Sequence, residues 1–348
     1  MLRHLSQCVR PWIRVLLAPA LLWPAFCLGV DKGSVDEPEA KKPLIEGYEP
    51  NYLGYTWQED DVSFIDIGIS LKYPLLPDHF ARWRGCARSG QMDLKCAGRY
   101  RAYLTFTGRS GFYAFSRDSG PVIAKTFNPK LLLRYTPDIE DVREFQSSTR
   151  GVQKEYSNYV DLAYAHESNG QSIDTPEEYF VERRQSDDPR FALDKISRGW
   201  DYVQVVAKHS ILTDTGHRVA TFLDLKYFLP DGVFQGTPEE YHTWENDPDA
   251  KRRRAVNGVA TTVEYELSTK LCCGRDDDRR KVFTDPRVLL KYETGYDPLL
   301  KYTTVRVELG VTFIELPISI WYQNGYNNSL ARYYEKSSAV GIELRIAE

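Results

Sequence analysis

The chain has 348 residues, 23 of them tyrosine, and a formal net charge of −4. That balance excludes the strongly basic footprint of a nucleic-acid-binding domain, so no nucleic acid is expected as a partner. The length admits one large domain or two ordinary ones, and the tyrosines suit a sheet protein or an aromatic girdle at a membrane surface.

The first element is a leader. Arg3, Arg10 and Arg14 precede the apolar run "VLLAPALLWPAFCLG", Val15 to Gly29. A basic region followed by an apolar run too short to span comfortably reads as a secretory signal, residues 1–29, cleaved near Cys27 to Gly29. A lipoprotein signal ending at Cys27 is the weaker alternative, because "PAF" puts no small residue beside the cysteine. No other stretch approaches the roughly 18 apolar residues of a membrane helix. Residues 30–59 are polar and proline-containing, and are expected to form a mobile periplasmic segment ahead of the fold. Of six cysteines, four remain after cleavage. Their spacing matches no zinc site; Cys86 and Cys96 could close a loop disulfide in an oxidising compartment, and the adjacent Cys272 and Cys273 stay unassigned.

The region 60–348 is repetitive. In "IDIGISLKY", Ile65, Ile67, Ile69, Leu71 and Tyr73 alternate with Asp66, Gly68, Ser70 and Lys72. Near the end, Val340, Ile342, Leu344 and Ile346 alternate with Gly341, Glu343 and Arg345. Similar segments lie near residues 100–106, 130–135, 160–168, 203–208, 219–227, 259–267, 288–292, 305–313 and 318–323, and no helical period competes. Strands of about 9 to 11 residues leave room for roughly twelve between Val62 and the end. Short connectors such as "LTDTGH" alternate with long ones such as "GTPEEYHTWENDPDAKRRR". The expected fold is therefore all-β: a transmembrane antiparallel β-barrel of about twelve strands, with long extracellular loops, in the outer membrane. A soluble sandwich or barrel is the competing reading.

Two loops contain "TPEEY", at Thr175 and Thr237. Thr as N-cap, Pro at the first helical position and Glu at the third predict a short helix at each. The basic run Lys251 to Arg254 reads first as a solvated loop and second as a contact for lipid phosphates.

The segment "VDLAYAHESNGQS", Val160 to Ser172, carries the candidate chemistry. Residues two apart on a strand share a face, so Val160, Leu162, Tyr164, His166 and Ser168 form one row. In a soluble sheet that apolar row faces the core; in a barrel it faces lipid, placing a serine and a histidine beside hydrocarbon. Serine becomes a nucleophile when a base takes its proton, and histidine serves as base when a third group orients its ring. The segment "SRGWDYVQVVAKH" puts Asp201 in the row of Val203, Val205 and Ala207. Antiparallel pairing of the two strands would bring Asp201 beside His166. Asn169-Gly170 makes a turn after the serine, leaving the Gly170 N–H free to stabilise an oxyanion. In the bland alternative Ser168 merely ends a strand of a non-catalytic barrel, a channel or structural protein.

"YAHESNGQS" followed by "SRGWD" resembles the active-site signature of the bacterial outer-membrane phospholipase A family. "WYQNGYNNSLARYYEKSSAVGIEL" is similar to that family's last strands, and "DDVSFIDIGISLKYPL" to its first, so the likeness runs from about Asp60 to the end. It implies a twelve-stranded barrel of the Gram-negative outer membrane, with its site toward the exterior, hydrolysing acyl esters of membrane phospholipids with calcium and active as a homodimer. By position it implies Ser168 as nucleophile, His166 as base, Asp201 as orienting group and Gly170 as oxyanion donor. It also implies calcium held by the Gln171 carbonyl, the Ser197 hydroxyl and a carbonyl near Ser119 of a neighbouring subunit. The chain departs from the family in having Asp201 where asparagine is usual, in a long insertion at 173–196, and in ending "RIAE" without an aromatic residue. A lipid A deacylase is the nearest rival enzyme, but such barrels are smaller, with eight strands.

Overall fold

The computed structural model describes residues 45–59, 62–75, 87–88, 91–92, 100–113, 122–137, 143–146, 153–156, 158–186, 190–213, 217–235, 253–267, 283–313 and 316–347. The expected signal and the four remaining cysteines lie outside these residues, as does Ser119.

Twelve strands form the barrel: β1 (Asn51–Gln58), β2 (Val62–Pro74), β3 (Tyr100–Tyr113), β4 (Val122–Tyr135), β5 (Tyr159–Ser168), β6 (Gly199–Leu212), β7 (Arg218–Phe228), β8 (Val259–Glu266), β9 (Phe283–Tyr296), β10 (Leu299–Phe313), β11 (Leu316–Gly325) and β12 (Ser337–Ala347). Each pairs antiparallel with its neighbours in chain order, and β12 pairs with β1, which closes the sheet. Closure removes the unpaired edges that an open sheet would present to lipid.

The closing strand corrects one expectation. Residues 51–58 fall in the segment expected to be mobile, yet they pair with β12 on one side and β2 on the other. Leu53 and Trp57 are exposed and Thr56 is buried, so the stretch does alternate. Gly54 and the polar Asn51, Thr56 and Gln58 dilute the signal. Gly54 sits where an added Cβ would come within 2.9 Å of the Ile342 carbonyl oxygen, so close strand packing explains the residue that obscured the pattern.

The two rows face as a membrane barrel requires. On β5, Leu162 is 50% exposed whereas Asp161 is 1% exposed. Leu104, Leu131, Leu290, Leu309 and Ile320 extend the exposed row around the wall. A continuous apolar wall of this kind needs a hydrocarbon surround, which excludes the soluble sandwich. The inner row is charged and paired. Glu308 meets Arg287 at 3.0 Å, Arg306 at 3.4 Å and Arg345, while Arg134 meets Asp161 at 2.7 Å. Among the described residues the inward side chains Asp66, Thr105, Asp161, Glu308 and Ser319 are buried, so side chains fill the interior around them.

The alternation of short and long connectors is incomplete. At the end where β5 stops, long connectors cover 169–198 and 229–258. At the opposite end 75–99 and 136–158 are long as well, because each carries a two-stranded hairpin outside the barrel sheet. The connector 169–198 holds two helices, α1 (Pro176–Gln185) and α2 (Arg190–Asp194). Thr175 caps α1 in the expected capping box, with its hydroxyl accepting from the Glu178 N–H at 3.3 Å. The second "TPEEY" lies outside the described residues. The insertion closes over the inner mouth: Phe191 packs against Phe64, Tyr113 and Ile123, and Asp194 accepts from the Tyr113 hydroxyl at 2.5 Å. Behind the end of β5, Trp200, Tyr202, Phe228, Val256, Leu330 and Tyr333 form a buried cluster inside the same mouth.

Arg253 is not solvated as the basic run suggested. It is 1% exposed, immediately before the one-turn helix α3 (Arg254–Asn257), and donates to Glu167 at 3.3 Å and to Asn327. A guanidinium buried in this way needs such partners, and here they tie two connectors, 229–258 and 326–336, to the end of β5.

Candidate active site

The site is built where β5 and β6 end. Their register pairs His166 with Asp201 and Ser168 with Gly199. Because His166 and Asp201 occupy opposed positions of the same outward row, their side chains meet: His166 Nδ1 lies 2.6 Å from Asp201 Oδ1. An ionised carboxylate only accepts, so the imidazole carries its proton on Nδ1 and leaves Nε2 as a free acceptor.

Asp201 would be costly to bury without donors, and the structure supplies them. It is 0% exposed, and its Oδ2 accepts from the Tyr164 hydroxyl at 2.5 Å and from the Phe234 N–H at 2.7 Å. The Tyr164 oxygen accepts in turn from the Val233 N–H at 2.8 Å. The chain after β7 folds down to do this. Leu229 N–H donates to the Asp201 carbonyl at 2.9 Å, and the Gln235 side chain accepts from the Asp201 N–H at 3.4 Å. Gly232 permits the close approach, since a Cβ there would lie 2.2 Å from the Asp201 Cβ.

Ser168 follows His166 by two residues and shares its face. Its hydroxyl makes no hydrogen bond among the described residues. Cα atoms two apart on a strand are about 6.6 Å apart, a gap that serine and imidazole side chains can span. Phe127 of β4 stands opposite Ser168 and beside Gly170.

Asn169 then sets the turn. It is buried, donating from Nδ2 to the Ile196 carbonyl at 2.8 Å and accepting at Oδ1 from the Arg198 N–H at 2.9 Å and the Gln171 N–H at 3.4 Å. Gly170 takes φ +54°, a left-handed conformation suited to glycine, and is exposed next to the serine.

Gln171 and Ser197 are brought near one another. Asn169 pairs with Arg198, and Ile173 with Lys195 and Ser197, so Gln171 lies between two cross-chain links to the segment ending in Ser197. A carbonyl and a hydroxyl suit a hard, oxygen-seeking cation, but calcium takes six to eight oxygens. Among the described residues no group of three or more His, Cys, Asp or Glu stands ready for a metal. These two donors therefore fit only a weak calcium site completed by water and by donors from elsewhere.

Sequence reasoning missed three contributors. Tyr164 was read only as part of the apolar row, although a hydroxyl two residues before His166 necessarily points the same way. Asn169 was read as a turn former, and its pinning of the 195–198 segment has no local signature. The connector "LPDGVFQ" showed a turn signal followed by an unexplained apolar pair.

Outer row, filled interior and closed sheet together define a barrel of the outer-membrane type. No family model matches the chain, and no curated protein matches it. Among solved structures it is similar to outer membrane phospholipase A from Escherichia coli, at 15% identity and a TM-score of 0.52, covering 89% of this chain and 95% of that one. An active-site mutant of that protein gives 15% identity and a TM-score of 0.51 over the same shares. The calcium-bound dimer of the Salmonella typhi outer membrane phospholipase gives 16% identity and a TM-score of 0.49, covering 88% of this chain and 94% of that one. At such identities the relationship is one of fold.

Proposed function

We propose that the protein is a calcium-dependent phospholipase of the Gram-negative outer membrane, hydrolysing acyl esters of phospholipids with its site toward the exterior. The observation that carries this reading is the hydrogen-bonded His166–Asp201 pair on the hydrocarbon-facing wall, two residues from Ser168. A soluble substrate would not require a triad turned toward lipid. The reading agrees with the fold shared with outer membrane phospholipase A.

Ser168 Oγ attacks the ester carbonyl while its proton passes to His166 Nε2, and Asp201 stabilises the imidazolium. The oxyanion is met by the Gly170 N–H. The imidazolium then protonates the departing lysophospholipid alkoxide, and water, deprotonated by the same imidazole, releases the fatty acid and restores Ser168. Calcium held by Gln171 and Ser197, with the carbonyl near Ser119 of a second subunit, would add positive charge beside the oxyanion. A homodimer would bring that donor and exclude water from the groove between two walls.

The test is fatty-acid release from mixed phospholipid and detergent micelles, with calcium or chelator, beside Ser168→Ala. Release that needs both calcium and Ser168 is expected. Undiminished release by Ser168→Ala would remove the nucleophile assignment, and release only from lipid A would make the protein a deacylase of that substrate.

A further inference from the structure

Val233 and Phe234 are 81% and 66% exposed, apolar, and held outward. They cannot turn inward, because their own N–H groups are committed to the Tyr164 hydroxyl at 2.8 Å and to Asp201 Oδ2 at 2.7 Å. Leu229 and Gln235 fasten the connector to the Asp201 backbone on either side. The Phe234 ring meets the imidazole edge-on, with centroids 6.3 Å apart, and meets the Tyr164 ring at 6.2 Å. Across the site, Phe127 stands exposed beside Ser168. Two outward phenylalanines thus bracket the serine and histidine.

Apolar side chains held rigidly against the imidazole differ from the rest of the hydrocarbon-facing wall in lying where the acyl group of a reacting ester must pass, so they form a binding surface for that group. Given the proposed phospholipase reading, on which this step rests, we infer that Phe234, supported by Val233, is an acyl-chain subsite that selects long-chain esters. Phe234 contacts a hydrocarbon chain of the bound lipid alongside His166, and its backbone holds Asp201 in place.

The experiment compares nitrophenyl esters of hexadecanoic and acetic acid in the same detergent micelles. Wild type is expected to favour the long ester, Phe234→Ala to lower the long-to-short ratio of kcat/KM about tenfold, and Phe234→Leu to recover most of it. An unchanged ratio, whether both rates fall together or neither falls, overturns the subsite. A second readout is independent of turnover: Phe234→Trp should add fluorescence that lipids brominated on their acyl chains quench. If wild type cleaves neither ester but the added fluorescence is quenched, the hydrolase reading fails and Phe234 is a lipid-facing wall residue, which overturns the subsite. Unquenched fluorescence refutes the contact itself.

Discussion

Asp201 has no exposed surface, and both of its carboxylate oxygens have assigned donors. This makes it hard to replace. With asparagine there, one edge of the side chain becomes an NH2 group. If that edge faces the Phe234 N–H, two donors collide in a buried position; if it faces His166, the imidazole is forced into the wrong tautomer. Asp201→Asn should therefore lower kcat on phospholipid roughly tenfold to a hundredfold, with the barrel still folded by its electrophoretic mobility before heating. Retention of full activity would show that the 229–235 connector yields. The pairing of His166 with Asp201 was legible in the sequence because it needs only alternation and one antiparallel register. The donors to Oδ2 were not, because Phe234 contributes its backbone, which no side-chain pattern announces.

At the scale of elements, the turn from β5 to β6 depends on one buried amide. Asn169→Ala removes the acceptor for Arg198 N–H and the donor to the Ile196 carbonyl, leaving buried backbone groups unpaired at a cost of about 2–3 kcal/mol. The barrel hydrogen bonds are untouched, so the loss should be local. Limited proteolysis within 173–196 should rise severalfold while the strands remain protected, and fatty-acid release should fall with the misplaced Gly170. Equal protection in variant and wild type would refute this account. The α1 helix was legible from Thr175, Pro176 and Glu178, since capping chemistry is local. That the insertion covers the inner mouth was not, because it depends on Phe191 and Asp194 reaching Tyr113, far away in sequence.

For the whole molecule, the inner wall holds ion pairs where a soluble domain would have an apolar core. Glu308 serves Arg287, Arg306 and Arg345 from three other places on the inner wall. Removing such a shared buried carboxylate costs about 3–5 kcal/mol, so Glu308→Ala should lower the urea midpoint for unfolding in micelles well beyond any outer-row Leu→Ala change. An equal effect from Leu309→Ala would place the stability in the wall instead. The barrel class was legible from period-two alternation across most of the chain. Its closing strand was not, because Asn51 to Gln58 follows a polar, proline-containing segment, packs a glycine against β12 and offers one aliphatic residue, Leu53, to count.

The filled interior has a kinetic meaning. Among the described residues, paired charges occupy the inside of the wall and the insertion packs at its mouth, while His166 and Ser168 stand on the outward row. On the proposed phospholipase reading, substrate would arrive sideways, by diffusion in a plane, and fatty acid and lysolipid would depart the same way. The concentration that governs such an enzyme is a surface density, the fraction of molecules in one leaflet that carry a cleavable ester. It would respond to a change in what its own leaflet contains even when the cell's total lipid does not change.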